Sequence, residues 1–290
     1  MRAVLVRSAL APLLLATLIS CGTTPALGSL GQDLAYGQDR LQRLSFWGAA
    51  SEAGRPAPLI LFVHGGGWKR GDRATATGRA KVSHFRARGY AFATMNYRLV
   101  PAATVEQQAA DVASALAWLI RHAGRLGIDP RRIVLMGHSA GAHLVALVGT
   151  DPAYLRSVGL TQGAVAGVVP IDGAAYDVPA QLRLAGPLMQ QTYAQAFGND
   201  PLRQRALSPT WQAAAPNAPA FLLLHVQRLD ARSQTRDLAR ALQRAGTPVE
   251  VAGFAGTGLA GHMAINRQLG QPDDPATRVV DGWLRSLFLR

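Results

Sequence analysis

Apolar segments alternate with amphipathic segments along most of the chain. Six apolar runs bounded by turn-forming residues are typical of buried strands, and they lie at residues 59–67, 90–98, 131–139, 163–171, 220–226 and 248–254. Apolar residues recur at helical spacing in residues 112–123 and 235–245, with Gly127 and Gly246 as predicted helix ends, and again from Ala276 onwards. This alternation predicts an α/β fold with a mostly parallel sheet and helices on both faces. Functional residues are expected in the loops that follow the strands.

Residues 173–216 interrupt this alternation with short helical pieces, prolines and aromatic residues, and no strand is predicted there. The segment is long for a plain connection, so we expect a cap-like excursion over the sheet edge that forms one wall of a pocket. The length of 290 residues and the hydrophobic content of 49% suit one large domain. We place it at residues 34–290.

The N-terminus has the pattern of an export signal. Arg2 and Arg7 flank a basic start, and residues 9–19 form an apolar run too short to span a bilayer. The sequence LISC, ending at Cys21, resembles the lipobox of bacterial lipoproteins, and Cys21 is the only cysteine in the chain. The resemblance implies a signal peptide at residues 1–20, a lipid anchor on Cys21 and a tether at 21–33. Gly22 favours the outer membrane, facing the periplasm.

The chain carries a formal charge of +13, which falls to about +11 without residues 1–20 and their two arginines. A nucleic-acid partner would require basic residues in a cluster, with aromatic residues among them. Here the arginines are dispersed, so we expect a solvated basic surface and no nucleic-acid partner.

The segment GHSAG, residues 137–141, lies between a predicted strand and a predicted helix. A serine at such a tight turn is held in a strained conformation, and the turn needs very small residues two positions before and after it. Gly137 and Gly141 meet that requirement. The pattern predicts Ser139 as a nucleophile.

A second motif, HGGGW at residues 64–68, ends an earlier predicted strand. Attack on a carbonyl group creates an oxyanion, which needs amide donors that already point at it. A glycine run exposes its backbone amides because no side chain covers them. We therefore predict an oxyanion hole from the amides of Gly66, Gly67 and Ala140.

Together, HGGGW, NYRLVP, DPRRIVLMGHSAGAHL and GHMAIN resemble the α/β-hydrolase fold, in particular its esterase, lipase and arylformamidase-like branch related to hormone-sensitive lipase. The resemblance extends from about Leu34 to the C-terminus. Trp68 after the glycines is more typical of arylformamidase-like and feruloyl-esterase-like members, although it is compatible with carboxylesterases.

The family orders its catalytic triad as serine, acid, histidine. The resemblance implies an acid after the penultimate strand, where Asp230 follows the segment LLLHV. The match is imperfect, since relatives often have a tighter H-G-x-x-D turn and Val226 stands where glycine is usual. Asp177 is the alternative acid, and a dyad without an acid is a third possibility.

The triad base is expected after the last strand, in the segment GTGLAGHM at residues 256–263. Gly256, Gly258 and Gly261 also match the G-x-G-x-x-G pattern of dinucleotide sites. Such a site would open a strand-helix-strand unit, but only 29 residues follow Gly261 and no strand is predicted among them. We interpret the glycines as turn residues that bring His262 to Ser139.

These features predict a serine hydrolase that cleaves small carboxylic ester or aryl formamide bonds through an acyl-enzyme, with no cofactor and no metal. One alternative is an inactive hydrolase-fold lipoprotein that binds or scaffolds in the envelope. A peptidase of the prolyl-oligopeptidase branch is disfavoured because the chain has no room for its propeller domain.

Overall fold

A computed structural model describes residues 31–50 and 54–288, apart from the side chain of Leu188. The predicted signal peptide and the predicted lipidation site at Cys21 lie outside the described residues and stay predictions. The described chain begins with a strand at Gln32, so the last two residues of the predicted tether belong to the sheet.

Eight strands form one sheet in the order β1-β2-β4-β3-β5-β6-β7-β8. The first two strands are antiparallel to their neighbours, and the other six are parallel. The mostly parallel sheet predicted from the sequence is therefore confirmed. The strands are β1 (Gln32–Ala35), β2 (Arg43–Trp47), β3 (Ala57–Val63), β4 (Ala91–Met95), β5 (Ile128–His138), β6 (Gly167–Ile171), β7 (Phe221–Val226) and β8 (Val249–Phe254).

The hydrophobic pattern did not predict the two antiparallel strands. The first, β1, has four residues and none of them is buried. The second, β2, alternates between partly buried and buried positions over only five residues. Such short and partly exposed strands carry a weak hydrophobic signal, whereas a parallel strand buried on both faces forms a continuous apolar run.

Thirteen α-helices occur in the described residues, together with a short 3₁₀ turn at Gln162–Ala164. The helices are α1 (Arg73–Ala76), α2 (Arg79–Ala87), α3 (Val105–Arg121), α4 (Ala123–Leu126), α5 (Ala140–Thr150), α6 (Pro152–Arg156), α7 (Val178–Leu184), α8 (Pro187–Phe197), α9 (Pro201–Ala206), α10 (Pro209–Gln212), α11 (Leu229–Arg244), α12 (Gly258–Gln268) and α13 (Pro275–Phe288). Within 31–50 and 54–288, every helix is too short or too polar to cross a bilayer.

The sheet separates two hydrophobic cores, as the two-residue period of a strand requires. In β3, Leu59 and Leu61 point into one core and Ile60 and Phe62 into the other, and all four are fully buried. Helices α3, α5 and α11 cover the first core, while α2, α12 and α13 cover the second. Burial on both faces fixes the register of the central strands, and with it the position of each loop at their carboxyl ends.

The excursion predicted between β6 and β7 consists of the four helices α7 to α10 and contains no strand. It packs against the rest of the domain through buried aromatic side chains, with Phe197 and Tyr193 against Trp68 at ring-centroid distances of 4.8 and 5.8 Å. His143 of α5 is also 2.8 Å from the backbone oxygen of Leu207 through Nε2. These contacts hold the excursion over the loop that follows β3.

Helix α5 packs directly against the end of β3. A Cβ atom on Gly141 would overlap the carbonyl oxygen of Val63 and lie 2.6 Å from that of His64. Both neighbours are backbone atoms at the carboxyl end of the central strand β3, so they cannot move away cheaply. The glycine is required because the helix and the strand approach each other here more closely than any side chain permits.

Substituting Gly141→Ala should therefore lower the free energy of unfolding by about 1–3 kcal/mol, the usual cost of overpacking a core. Urea denaturation followed by circular dichroism would measure it. Gly282→Ala in α13 is the matched control, since a Cβ there meets nothing within 4 Å. The control should be neutral or stabilising by up to about 1 kcal/mol, and equal stability of the two variants would contradict the close-packing explanation.

Candidate active site

Ser139 lies at the turn between β5 and α5, where the sequence predicted it. Its backbone has φ 58° and ψ −119°, a strained conformation for a residue with a side chain. The amide of Ser139 donates to the carbonyl oxygen of Ile171 on the neighbouring strand at 3.1 Å. Ser139 is partly exposed between the buried residues His138 and Ala140. The turn thus presents the serine side chain at the carboxyl end of the sheet.

The glycine loop after β3 lies against Ser139. A Cβ atom on Gly65 would be 2.9 Å from the Cβ of Ser139, so the backbone approaches the serine closely. Gly66 and Gly67 have φ values of 136° and 61° and are partly exposed. Among the described residues, no oxygen accepts a hydrogen bond from the amides of Gly66, Gly67 or Ala140. The three amides that the sequence predicted for an oxyanion hole are therefore not engaged by another group in the described part of the chain.

Three hydrogen bonds hold this loop in place. Gln108 of α3 donates from Nε2 to the backbone oxygen of Trp68 at 2.7 Å, and the Tyr97 hydroxyl donates to that of His64 at 2.9 Å. The indole of Trp68 donates to Nδ1 of His143 at 3.3 Å. Trp68 and Tyr97 are buried, so they support the loop from the interior of the protein.

His262 lies in helix α12, close to His138, the residue that precedes Ser139. Nε2 of His138 is 2.9 Å from the backbone oxygen of His262, and the two imidazole rings are 4.5 Å apart between centroids. Burial lowers the pKa of His138 to about 3, so this ring is neutral and can donate from Nε2 to that oxygen. His138 thereby connects the serine turn to the helix that carries His262.

The glycines around His262 serve close packing. A Cβ on Gly256 would be 2.9 Å from the Cα of Gly261, and a Cβ on Gly261 would be 2.8 Å from the Cα of Gly256. Gly256 and Gly258 also have positive φ angles of 115° and 54°. The sequence prediction that His262 lies in a loop is wrong, because helix α12 begins at Gly258 and includes both Gly261 and His262.

The acid that meets His262 is Asp172. Its Oδ2 is 2.6 Å from Nδ1 of His262, and its Oδ1 accepts from the amide of Val226 at 2.9 Å. Asp172 directly follows β6, where Ile171 is in register with His138 of β5. Asp172 and Ser139 therefore leave neighbouring strands at the same level of the sheet.

Asp172 is fully buried and has a φ of 44°. Burial by itself raises the pKa of its carboxyl group, but the hydrogen bond with His262 and the charge of Arg228 outweigh burial and lower the pKa below its ordinary value. The side chain is thus a carboxylate at neutral pH and can accept the Nδ1 proton of His262.

The prediction that Asp230 contacts His262 is wrong. Asp230 lies in the first turn of α11, where its carboxylate accepts from Nη2 of Arg228 at 2.8 Å and from Nε2 of Gln181 at 3.3 Å. The helix begins immediately after a short turn and carries Asp230 towards these two side chains. Asp177, the alternative acid, caps α7 by accepting from the amide of Ala180.

Sequence reasoning missed both Asp172 and Arg228. A signal for Asp172 was available: it is an acidic residue directly after β6, the buried strand beside β5, and β5 leads to Ser139. Arg228 gave no signal, since it is one of many dispersed arginines. Its Nη1 is 2.8 Å from Oδ2 of Asp172 and 2.6 Å from Nδ1 of His262.

The arrangement has the parts of a nucleophilic site. Nδ1 of His262 contacts the carboxylate, while Nε2 has no hydrogen-bond partner in the described part of the chain. A neutral imidazole held in this way can accept a proton from a hydroxyl group through Nε2. No group of three or more His, Cys, Asp or Glu side chains within residues 31–50 and 54–288 is placed to hold a metal ion.

Solved structures with the same arrangement of strands and helices define the class of the fold. Esterase B from Lactobacillus rhamnosis superposes with a TM-score of 0.73 over 89% of this chain and 84% of that chain, at 22% sequence identity. The protein has the α/β-hydrolase fold, as predicted.

Sequence relatives include proteins named as an esterase and as a formamidase. Residues 49–159 match the BD-FAE family. Esterase LipC of Mycobacterium tuberculosis is 34% identical over 204 residues, which is 67% of this chain and 49% of LipC. Kynurenine formamidase of Drosophila melanogaster is 33% identical over 119 residues, covering 41% of this chain and 38% of that protein. The chain spans about half of the length of LipC.

Proposed function

We propose that this protein is a serine hydrolase that cleaves small carboxylic esters, with Ser139, His262 and Asp172 as its triad. The observation that carries the proposal is the 2.6 Å contact between His262 and Asp172, beside a strained serine turn and a glycine loop. A buried carboxylate on Nδ1 fixes the tautomer that leaves Nε2 free to act as a base.

In this mechanism Nε2 of His262 removes the hydroxyl proton of Ser139 as Oγ attacks the ester carbonyl carbon. The carbonyl oxygen becomes an oxyanion that accepts from the amides of Gly66, Gly67 and Ala140. The tetrahedral intermediate collapses, the carbon–oxygen bond to the alcohol breaks, and protonated His262 gives its proton to that alcohol. Water then attacks the acyl-enzyme with His262 again as base, which releases the acid and restores Ser139.

Ester substrates are supported by the two relatives named as esterases, one found by sequence and one by structure. Aryl formamides are the second candidate, supported by the match to a kynurenine formamidase. Both substrate classes need the same nucleophile and the same oxyanion donors, so the catalytic residues do not discriminate between them. The match to the formamidase covers less of the chain, which favours the ester.

The proposal is tested by measuring kcat/KM of the purified protein for phenyl acetate, a p-nitrophenyl acyl ester and N-formylkynurenine. We expect turnover of the esters, with kcat/KM for the preferred ester exceeding that for the formamide by about tenfold or more, equivalent to about 1.4 kcal/mol of transition-state binding. A higher value for N-formylkynurenine would establish the formamidase instead. Failure of the folded protein to hydrolyse any of them would support the inactive binding protein.

A further inference from the structure

Arg228 occupies an unusual position between two carboxylates and the imidazole of His262. Its Nη1 lies 2.8 Å from Asp172 and 2.6 Å from His262, and its Nη2 lies 2.8 Å from Asp230. Nε of Arg228 adds a second contact to Asp230 at 3.2 Å. The guanidinium is therefore held by a forked ion pair with Asp230, and its remaining nitrogen is directed at the His262–Asp172 pair.

The position of Arg228 constrains the chemistry of His262. Nδ1 of an imidazole can make one hydrogen bond in the ring plane, either donating its proton or accepting one. When Nδ1 donates to Asp172, the nearby guanidinium can only donate to Asp172 as well. A second proton on the ring then creates a cation beside the cation of Arg228, which is electrostatically unfavourable.

Other ionisable groups around His262 and Arg228 do not cancel the repulsion between the Arg228 guanidinium and a protonated His262 ring. His138, whose ring is 4.5 Å from that of His262, is neutral because burial lowers its pKa to about 3. Burial raises the pKa of Tyr193 to about 12 and that of Tyr176 further, so both phenols are uncharged at neutral pH. Buried Lys81 contacts the backbone oxygen of Asn266 in α12. The charges in direct contact with His262 and Arg228 are thus those of Asp172 and Asp230.

We propose that Arg228, held in place by Asp230, is a positioning residue that fixes the Asp172 carboxylate against Nδ1 of His262 and places a positive charge beside that imidazole. The inference rests on the proposed function. Its consequence is that ester hydrolysis persists to lower pH than it would with the Asp172–His262 pair alone. Asp230, which sequence analysis selected as the triad acid, acts on the triad through Arg228.

The pH dependence of kcat/KM distinguishes this role from a merely structural one. The acid midpoint is the pH at which kcat/KM falls to half of its plateau value on the acid side. Arg228→Met removes the positive charge, so the imidazolium is more easily formed and the acid midpoint should move up by about one pH unit. Asp230→Asn removes a negative charge from the same cluster, so its acid midpoint should move down. Arg228→Lys keeps the charge without the forked geometry and should shift the midpoint less than methionine does.

Two residues of α11, the helix that carries Asp230, provide matched controls. Arg236 and Asp237 are exposed on α11, and the ion pair between them spans 3.7 Å. Arg236→Met and Asp237→Asn should reproduce the acid midpoint of the unmodified protein. Phenyl acetate is a suitable substrate because it has no ionisable group in this pH range, and circular dichroism would verify the folding of each variant.

Opposite shifts for Arg228→Met and Asp230→Asn would support the inference. Shifts in the same direction, or midpoints equal to those of the controls, would overturn it. If Arg228→Met does not fold, the downward shift in Asp230→Asn and the small upward shift in Arg228→Lys still decide the matter. An unmodified protein that hydrolyses esters while these variants show no shift would refute only the role of Arg228, whereas an unmodified protein without ester turnover would refute the proposed function itself.

Discussion

Replacing Ser139 with alanine should lower kcat for ester hydrolysis by about a million-fold, the usual result of removing a triad nucleophile. Alanine has no oxygen to attack the carbonyl, so the acyl-enzyme cannot form. The remaining activity would come from substrate binding and the oxyanion donors alone. Because Ser139 is partly exposed at a turn, the substitution should leave folding intact. Rates with phenyl acetate measure the loss.

A fluorophosphonate probe gives a second readout of the same prediction. The unmodified protein should gain one adduct on Ser139, located by peptide mass spectrometry, and Ser139→Ala should gain none. Ser157→Ala is the control, since the Ser157 hydroxyl donates only to the backbone oxygen of Tyr154 at the end of α6. A Ser139→Ala protein that keeps the unmodified rate and still labels would show that the nucleophile lies elsewhere.

Replacing Asp172 with asparagine should lower kcat by about 10⁴-fold at neutral pH. The asparagine amide can donate to Nδ1, which then favours the tautomer with the proton on Nε2, where the base is needed. Asp172 is fully buried and 2.6 Å from His262, so water cannot replace the lost acceptor. The kcat of the folded variant, compared with the unmodified protein, measures the effect.

The same measurement on Asp230→Asn separates the two candidate acids. Asp230 contacts Arg228 and Gln181, so its loss should change the plateau rate by less than about tenfold, corresponding to 1.4 kcal/mol. Asp177→Asn, which affects only a helix cap and a neighbouring indole, is a further control. A 10⁴-fold loss in Asp230→Asn with near-normal activity in Asp172→Asn would reverse the assignment of the acid.

The central strands were predictable because burial on both faces forces a continuous apolar run between turn residues. All six parallel strands lie within or close to the predicted segments. The strands β1 and β2 were not predicted, because a short and partly exposed strand needs few apolar residues. Helix α12 was also missed, since Gly256 just before it and the two glycines within it indicate a turn more strongly than a helix.

The candidate site was only partly predictable. Ser139 and the glycine loop are each encoded by five adjacent residues, and their local conformation follows from the glycines that surround them. The acid is different, because many carboxylates follow strands and the family pattern directs attention to the loop after β7. In this chain that loop supplies Arg228, and the carboxylate comes from the end of β6.

The sequence by itself determined the serine turn, the glycine loop and the strand-helix alternation, because each depends on residues close together in the chain. Only the tertiary structure decided which carboxylate meets His262. Asp172 and His262 are 90 residues apart, and Arg228 lies 56 residues beyond Asp172. Their contact depends on the register of β6 between β5 and β7, which is set by packing across the whole sheet and by no local pattern.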